Sequence, residues 1–197
     1  MGESIHTMSG LDVALFSWLN ATAASPAWVV PFARFVTVQL SEWMIVGLVA
    51  AFLVGDARVQ RHVSRVALAM LAGWVFARLG QHFFPMPRPF SLGLGTAWTA
   101  HSDSAGFPST HASVAFAFAF AVAACTRRWL PAAAALVVAS LIGWSRICLG
   151  LHFPVDVLAG AVVGGASAWL SGRVPLYRLK NFVGKRDLHA LPASRAE

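Results

Sequence analysis

The chain has 197 residues, of which 57% are hydrophobic and only 12% are charged, and its mean hydropathy is +0.65. A soluble domain is about one quarter charged, so a chain this apolar has too little polar surface for water and is expected to fold in a bilayer. Its formal net charge of +7 comes without an aromatic and basic stacking module, which favours membrane topology over nucleic-acid binding as its cause.

No linker, low-complexity segment or internal repeat divides the sequence, which predicts one compact membrane domain over residues 1–197. Within it we expect an N-terminal interfacial or first-span region at 1–36, a core at 41–172 and a basic cytoplasmic tail at 173–197. Residues 1–11 lack a basic segment followed by an apolar one, so no cleaved signal peptide is expected. Cys125 and Cys148 lie in apolar runs and are expected to be free thiols.

Apolar segments divide the chain into candidate spans, since a helix that crosses a bilayer needs roughly 20 mostly apolar residues. Residues 11–36 contain two prolines and an arginine, and predict either a shallow interfacial helix pair or an imperfect first span. The predicted later spans are Ser41–Val54 (with a start as early as Val30), Val63–Phe84, Ser109–Cys125, Leu130–Leu149 and Pro154–Leu170. The predicted fold class is therefore all-α, a transmembrane bundle of five to six helices.

Basic residues gather at one end of this predicted bundle. They are Arg58, Arg61, Arg65, Arg127, Arg128, Arg173, Arg178, Lys180, Lys185 and Arg186. The positive-inside rule makes that end cytoplasmic. The loop at 85–108 and the turn at 150–153 then lie at the extracytoplasmic end, where the sequence is unusually polar for its surroundings.

A histidine and a carboxylate are predicted to meet at the start of the last helix. Pro154 suits the first helical position, which places His152 just before the helix and Asp156 in its first turn. A carboxylate that bonds one ring nitrogen leaves the other nitrogen free to attack an electrophile. The alternative is a helix-capping Asp156 beside an interfacial His152.

A second polar group begins the predicted helix at 109–125. Ser109 is a natural N-cap, and the N–H groups that follow it, with the helix dipole, favour a bound anion. His111 could protonate a leaving oxygen at such a site. The alternative is that Ser109 and Thr110 only cap the helix.

Arg88 and Arg146 have planar guanidinium groups, each of which can donate two hydrogen bonds to phosphate oxygens. A structural salt bridge is the alternative for Arg146, but between Asp56 and Asp187 the only carboxylates in the sequence are Asp103 and Asp156. This scarcity indicates an anion supplied from outside. It also argues against a metal cluster, so no metal or other cofactor is expected.

Two further histidines and one possible Arg–Glu pair are given structural roles. His82 and His101 are interpreted as interfacial or loop residues rather than catalytic ones. Arg34 and Glu42 are expected to form a structural pair near the N-terminal hairpin.

The polar segments together resemble the three-part signature of the phosphatidic acid phosphatase type 2 superfamily, which shares its site with vanadium haloperoxidases. That signature is K-x6-R-P, then P-S-x-H, then S-R-x5-H-x3-D. Here the second part is complete at 108–111, and the third is complete from 145 to 156. The first part is partial, because Arg88 and Pro89 match but Gln81 occupies the lysine position. The resemblance covers roughly residues 81–156.

The resemblance implies a helical membrane phosphatase. His152 would be the nucleophile that forms a phosphohistidine, Asp156 would orient it, and His111 would be the general acid. The residues implied to hold the phosphoryl oxygens are Arg88, Arg146, Ser109, Thr110 and Gln81. Gln81 can donate hydrogen bonds but brings no charge.

Within this superfamily, the short chain and the Arg-Pro-Phe followed by Leu-Gly-Leu-Gly are similar to bacterial undecaprenyl-diphosphate phosphatases. The expected function is hydrolysis of undecaprenyl diphosphate in the bacterial inner membrane, with the site facing the periplasm. The alternatives are a phosphatidate, phosphatidylglycerophosphate or lipid A phosphatase, or a non-catalytic lipid or anion transporter. The expected partners are a lipid phosphate or diphosphate and membrane lipids, but not nucleic acid, and the oligomeric state is open.

Overall fold

The computed structural model describes residues 10–100 and 104–175, and this part of the chain is built from helices. The α-helices are α1 Gly10–Leu19, α2 Val29–Phe35, α3 Ser41–Val54, α4 Ala57–Phe83, α5 Thr110–Cys125, α6 Trp129–Cys148 and α7 Pro154–Arg173. A π-helical turn at Val36–Leu40 joins α2 to α3, and a 3-10 turn covers Phe90–Leu92. The predicted all-α class is confirmed. Residues 1–9 and most of the predicted basic tail lie outside the described residues.

The described residues contain four helical segments that are long and apolar enough to cross a membrane. They are Val29–Val54, Ala57–Phe83, Trp129–Cys148 and Pro154–Arg173. Large apolar side chains on them point outward, and Leu53 and Val162 are each 73% exposed, as suits contact with lipid. The predicted membrane bundle is confirmed. Its first long segment begins near Val30, the earlier of the two predicted starts. Because α5 is shorter, at about 24 Å, the number of crossings stays a prediction.

The N-terminal region contains the short helix α1 and the start of the first long segment. With ten residues, α1 is about 15 Å long, too short to cross a bilayer. It packs against α6 and α7 instead, and its buried Phe16 ring lies 5.3 Å from the ring of Phe153. The helix that begins at Val29 continues through the π-helical turn into α3, so the expected boundary between 36 and 41 falls inside one continuous segment.

The bundle is centred on α5, which packs against α4, α6 and α7. Its buried positions are mostly alanines: Ala112, Ala115, Ala117, Ala119 and Ala121. Small side chains let the backbones of membrane helices approach closely. The approach is closest at Gly164 of α7, where an added Cβ would lie 2.6 Å from the backbone nitrogen of Ala117.

The connections bring four helix ends together on one side of the bundle, as the predicted topology requires. The ends of α4 and α6 meet the starts of α5 and α7, and Gly150, at φ +76°, permits the tight turn between α6 and α7. At the opposite end, the Asp56 carboxylate caps α4. It accepts hydrogen bonds from the Val59 and Arg58 N–H groups, and these bonds hold the pKa of Asp56 below its usual value. The described arginines of the basic end lie here, and both cysteines are free as predicted.

Candidate active site

His152 and Asp156 meet at the start of α7. The distance from His152 Nδ1 to Asp156 Oδ2 is 3.3 Å, and the same oxygen accepts the backbone N–H of Phe153 at 2.9 Å. Both side chains are buried, with relative exposures of 1% for His152 and 2% for Asp156. Asp156 therefore caps the helix and also contacts the ring, while His152 is not the interfacial residue of the alternative interpretation.

The second ring nitrogen of His152 contacts an arginine. Arg88 Nη1 lies 3.1 Å from His152 Nε2. Because a guanidinium group can only donate, Nε2 must accept this bond, and the ring proton is assigned to Nδ1, toward Asp156. That tautomer leaves a lone pair on Nε2, which is the form a nucleophilic histidine requires.

Arg88 is held in place by backbone oxygens from two segments. Nε donates to the carbonyl of Ser104 at 2.8 Å, Nη2 to that of Ala105 at 3.2 Å, and Nη1 to that of Leu151 at 3.0 Å. The guanidinium group thus ties the loop after α4 to the turn before α7. Its side chain is only 3% exposed, so this geometry is fixed before any substrate arrives.

Arg146 lies in the last turn of α6 and is only partly satisfied. Nη1 donates to Thr37 Oγ1 at 2.9 Å, in the π-helical turn, while Nε and Nη2 are buried without a hydrogen-bond partner among the described residues. The structural salt bridge considered for Arg146 is absent from this part of the chain. Because an unsatisfied buried donor is costly, the two nitrogens fit an anion bound beside them.

The start of α5 has a capping residue, followed by a first turn whose N–H groups can bind an anion. The buried Ser109 side chain accepts the N–H of Ala112, and its backbone N–H donates to the carbonyl of Asp156 at 3.0 Å. Ser109 thus caps α5 and joins it to α7, and its hydroxyl group still has an O–H donor that could bind an anion. Thr110 and the exposed His111 follow on the first turn, where N–H groups and the helix dipole favour negative charge.

Gln81, at the lysine position of the signature, uses its amide within the protein. Nε2 donates to the carbonyl of Pro108 at 3.1 Å and to Thr110 Oγ1 at 2.9 Å. Its oxygen accepts a bond from Arg78 Nη1 at 3.0 Å. Gln81 therefore holds the segment that contains Thr110, and it also fixes the position of Arg78.

These groups surround a cavity of about 290 Å³, lined by Trp74, Arg78, Gln81, Arg88, Ser104, Thr110, His111 and His152. Five of the eight predicted site residues line it. The other three, Ser109, Arg146 and Asp156, lie outside the lining.

The cavity also contains Trp74, Arg78 and Ser104, which the sequence did not indicate. A signal existed for the first two, because they precede Gln81 by seven and three residues and so share its face of a helix. Ser104 follows a segment without periodicity, and no local pattern indicated its contact with Arg88.

The weaker candidates lie elsewhere. His82 is exposed, and its ring lies 5.2 Å from that of Phe83. The predicted pair of Arg34 and Glu42 is wrong: Arg34 donates to the Trp98 carbonyl, and no salt bridge joins the two residues in the described part of the chain. His101 and Asp103 lie outside the described residues.

Comparison with known families identifies the superfamily of the chain. The family model described as the PAP2 superfamily matches residues 62–180, about three fifths of the chain. The chain belongs to the PAP2 superfamily. The matched segment contains every predicted site residue and every residue that lines the cavity, and it runs from α4 through α7.

Individual relatives agree with the PAP2 assignment. YbjG of Escherichia coli (strain K12), named as a candidate undecaprenyl-diphosphatase, is 32% identical over 157 residues, which cover 80% of this chain and 79% of YbjG. The undecaprenyl-diphosphatase BcrC of Bacillus subtilis (strain 168) is 33% identical over 135 residues, or 65% of this chain and 67% of BcrC. The crystal structure of Aquifex aeolicus LpxE superimposes with a TM-score of 0.72 at 25% identity, covering 84% of this chain and 96% of LpxE.

The PAP2 fold and the relatives make this protein a membrane lipid phosphatase. The geometry is compatible with that chemistry, because a buried histidine, its carboxylate partner and guanidinium groups converge at one end of a helical bundle.

Proposed function

We propose that this PAP2 protein hydrolyses undecaprenyl diphosphate to undecaprenyl phosphate and inorganic phosphate, through a phosphohistidine on His152. The observation that carries the proposal is the pair of contacts on the His152 ring, with Asp156 at Nδ1 and Arg88 at Nε2. Two relatives that cover about two thirds or more of the chain carry the name of this activity, which supports the choice of substrate.

In the first step, the Nε2 lone pair of His152 attacks the terminal phosphorus of the substrate. The bond from that phosphorus to the bridging oxygen breaks, and its electron pair stays with the departing undecaprenyl phosphate. His111 donates a proton to the departing oxygen. The ring of His152 becomes cationic as the new bond forms, and Asp156, at Nδ1, stabilises that charge.

In the second step, a water molecule attacks the phosphohistidine. His111, now deprotonated, accepts a proton from the water, and the P–N bond breaks to return its electron pair to Nε2. Inorganic phosphate leaves and His152 regains its starting tautomer. Each histidine therefore ends the cycle in the protonation state in which it began.

Phosphoryl oxygens carry the charge that must be stabilised, and the proposed ligands are Arg88, Arg146 and the start of α5 with Ser109 and Thr110. Arg88 can exchange its contact with His152 Nε2 for a phosphoryl oxygen while its carbonyl contacts keep it in place. Preorganised donors of this kind stabilise a transition state without reorganising during the reaction.

We further propose that the reaction needs no metal. The charge at the cavity comes from arginines, and the described residues contain no group of three or more His, Cys, Asp or Glu that could hold an ion. Phosphate release should persist in EDTA, and vanadate should inhibit it by adopting the geometry of five-coordinate phosphorus. Complete loss in EDTA with recovery on adding magnesium would contradict this mechanism.

The test of the substrate is phosphate release by the detergent-purified protein from a panel of lipids. The panel contains undecaprenyl diphosphate, undecaprenyl phosphate, phosphatidate, phosphatidylglycerophosphate and lipid A. We expect the highest kcat/KM for undecaprenyl diphosphate. A higher value for one of the other lipids would assign the protein to that substrate, and no release from any of them would leave a non-catalytic transporter.

We also propose that the protein resides in the bacterial inner membrane with its cavity facing the periplasm. The arginines at the far ends of α4 to α7 support this orientation through the positive-inside rule. The carrier lipid diphosphate would then be met on the outer leaflet.

A further inference from the structure

The cavity extends along one face of α4, beyond the groups that the mechanism uses. Trp74, Arg78 and Gln81 are spaced by four and three residues and line it together. Since α4 runs toward the site, Arg78 lies about 4.5 Å and Trp74 about 10.5 Å deeper in the bundle than Gln81. The cavity therefore leads from His152 toward the membrane interior, the direction in which a lipid chain must extend.

Arg78 brings a positive charge to this deeper part of the cavity. Its Nη1 donates to the Gln81 oxygen at 3.0 Å, and no carboxylate among the described residues forms a salt bridge with it. An arginine at membrane depth is costly and is normally matched by a partner or a ligand. A neutral amide oxygen does not offset its charge, so the position favours an anion.

Gln81 fixes where that charge is placed. Its Nε2 donates to Pro108 and Thr110, which sets the direction of its oxygen and therefore of the Arg78 guanidinium group. Relative to the signature lysine, the cation near this stretch of α4 is thus displaced by about one helical turn, away from His152 and toward the lipid.

We propose that Arg78 binds the lipid-attached phosphate of a diphosphate, while the terminal phosphate lies at His152 and Arg88. This inference rests on the proposed function and extends it, because it assigns a separate subsite to the phosphate that is not transferred. The prenyl chain would leave the cavity past Trp74, which is half exposed on the outer face of α4.

The chemistry gives Arg78 a role that depends on the substrate. When a diphosphate is cleaved, the departing group is a prenyl phosphate whose negative charge grows as the bridging P–O bond breaks. Arg78 would stabilise that charge. A monophosphate releases an alcohol, which His111 protonates, and it has no second phosphate for Arg78 to contact. Arg78 therefore favours diphosphates through the leaving group.

The test compares kcat/KM for a prenyl diphosphate and the monophosphate of the same chain length. The variants are Arg78→Gln, Arg78→Lys and, as a control, Arg61→Gln, which removes an exposed arginine at the opposite end of the same helix. Arg78→Gln should lower the diphosphate value by about tenfold or more, a barrier change of at least about 1.4 kcal/mol, and the monophosphate value by less than about threefold. Arg78→Lys should recover part of the diphosphate rate, and Arg61→Gln should change neither.

Equal losses for the two substrates would overturn the inference, because they would place Arg78 at the transferred phosphate or in a structural role. Unchanged rates would overturn it as well. If Arg78→Gln does not fold, judged by its thermal unfolding, the ratio of the two rates in Arg78→Lys decides. The proposed function fails separately, if the wild-type protein itself prefers the monophosphate or another lipid.

Discussion

His152 has a different partner on each ring nitrogen, and substitution can separate their contributions. His152→Ala removes the nucleophile and should lower the rate by several orders of magnitude. Asp156→Ala should cost less, because Nε2 keeps its contact with Arg88. The measurement is phosphate release at saturating substrate. If His152→Ala kept more than about a tenth of the activity, a loss of only about 1.4 kcal/mol in the barrier, His152 would not be the nucleophile.

Asp12 of α1 supports the start of the helix that carries Asp156. Its Oδ1 accepts the backbone N–H of Val155 at 3.0 Å, and its side chain is 8% exposed. Asp12→Ala leaves that N–H without its acceptor and should lower the free energy of unfolding by about 1 kcal/mol. Asp12→Asn keeps an acceptor and should be close to wild type, as measured by thermal unfolding in detergent.

The same residue predicts a pH dependence. Burial raises the pKa of Asp12, although the Val155 hydrogen bond partly opposes this. The folded state therefore disfavours the ionised form, and the protein should lose stability as pH rises from the ordinary value of about 4 through the raised pKa. Asp12→Asn should lack this part of the pH profile. A variant profile parallel to that of the wild type would show that Asp12 does not titrate as described.

The sequence identified side chains whose partners are close along the chain. The four-residue spacing of His152 and Asp156 predicted their contact because one helical turn brings such positions together. The contact between Arg146 and Thr37 joins residues 109 positions apart and depends on a π-helical turn, so spacing could not indicate it. The sequence did not indicate Arg78 for another reason, because the family signature has its basic residue three positions later, where this chain has Gln81.

The close packing of α7 against α5 requires a small residue at position 164 of α7. Gly164→Ala should destabilise the protein, because the added Cβ would meet the backbone of α5 at Ala117. Gly172→Ala is the matched control on the same helix, where an added Cβ meets nothing within 4 Å. The control should be neutral or slightly stabilising, since alanine is the better helix former by roughly 1 kcal/mol. Equal unfolding temperatures for the two variants would contradict the close packing.

The helices themselves were largely predictable, since each later span is an apolar run bounded by polar or helix-breaking residues. The segment before Ser41 was not, because Pro31 and Arg34 resemble interruptions. Pro31 lies in the first turn of α2, where a proline removes no helical hydrogen bond. Arg34 directs its guanidinium group to the Trp98 carbonyl at the site end. Both residues are therefore compatible with a continuous helix.

In the described part of the chain, the cavity and the arginines of the connecting loops lie at opposite ends of the bundle. The cavity lies where α5 and α7 begin, while Arg58, Arg127 and Arg128 lie where α4 and α6 begin. A bilayer keeps these ends apart, because exposed apolar side chains cover the helices between them. The charge asymmetry therefore predicts which compartment the cavity faces.

That orientation can be measured with single cysteines after Cys125 and Cys148 have been replaced. Ala97→Cys places a thiol on the exposed loop after α4, at the cavity end, and Arg61→Cys places one near the start of α4. In intact spheroplasts, an impermeant thiol reagent should label the first and not the second, whereas permeabilised membranes should label both. The cysteine-free protein controls for background. Labelling of Arg61→Cys alone would place the cavity in the cytoplasm, where a carrier diphosphate on the outer leaflet could not reach His152.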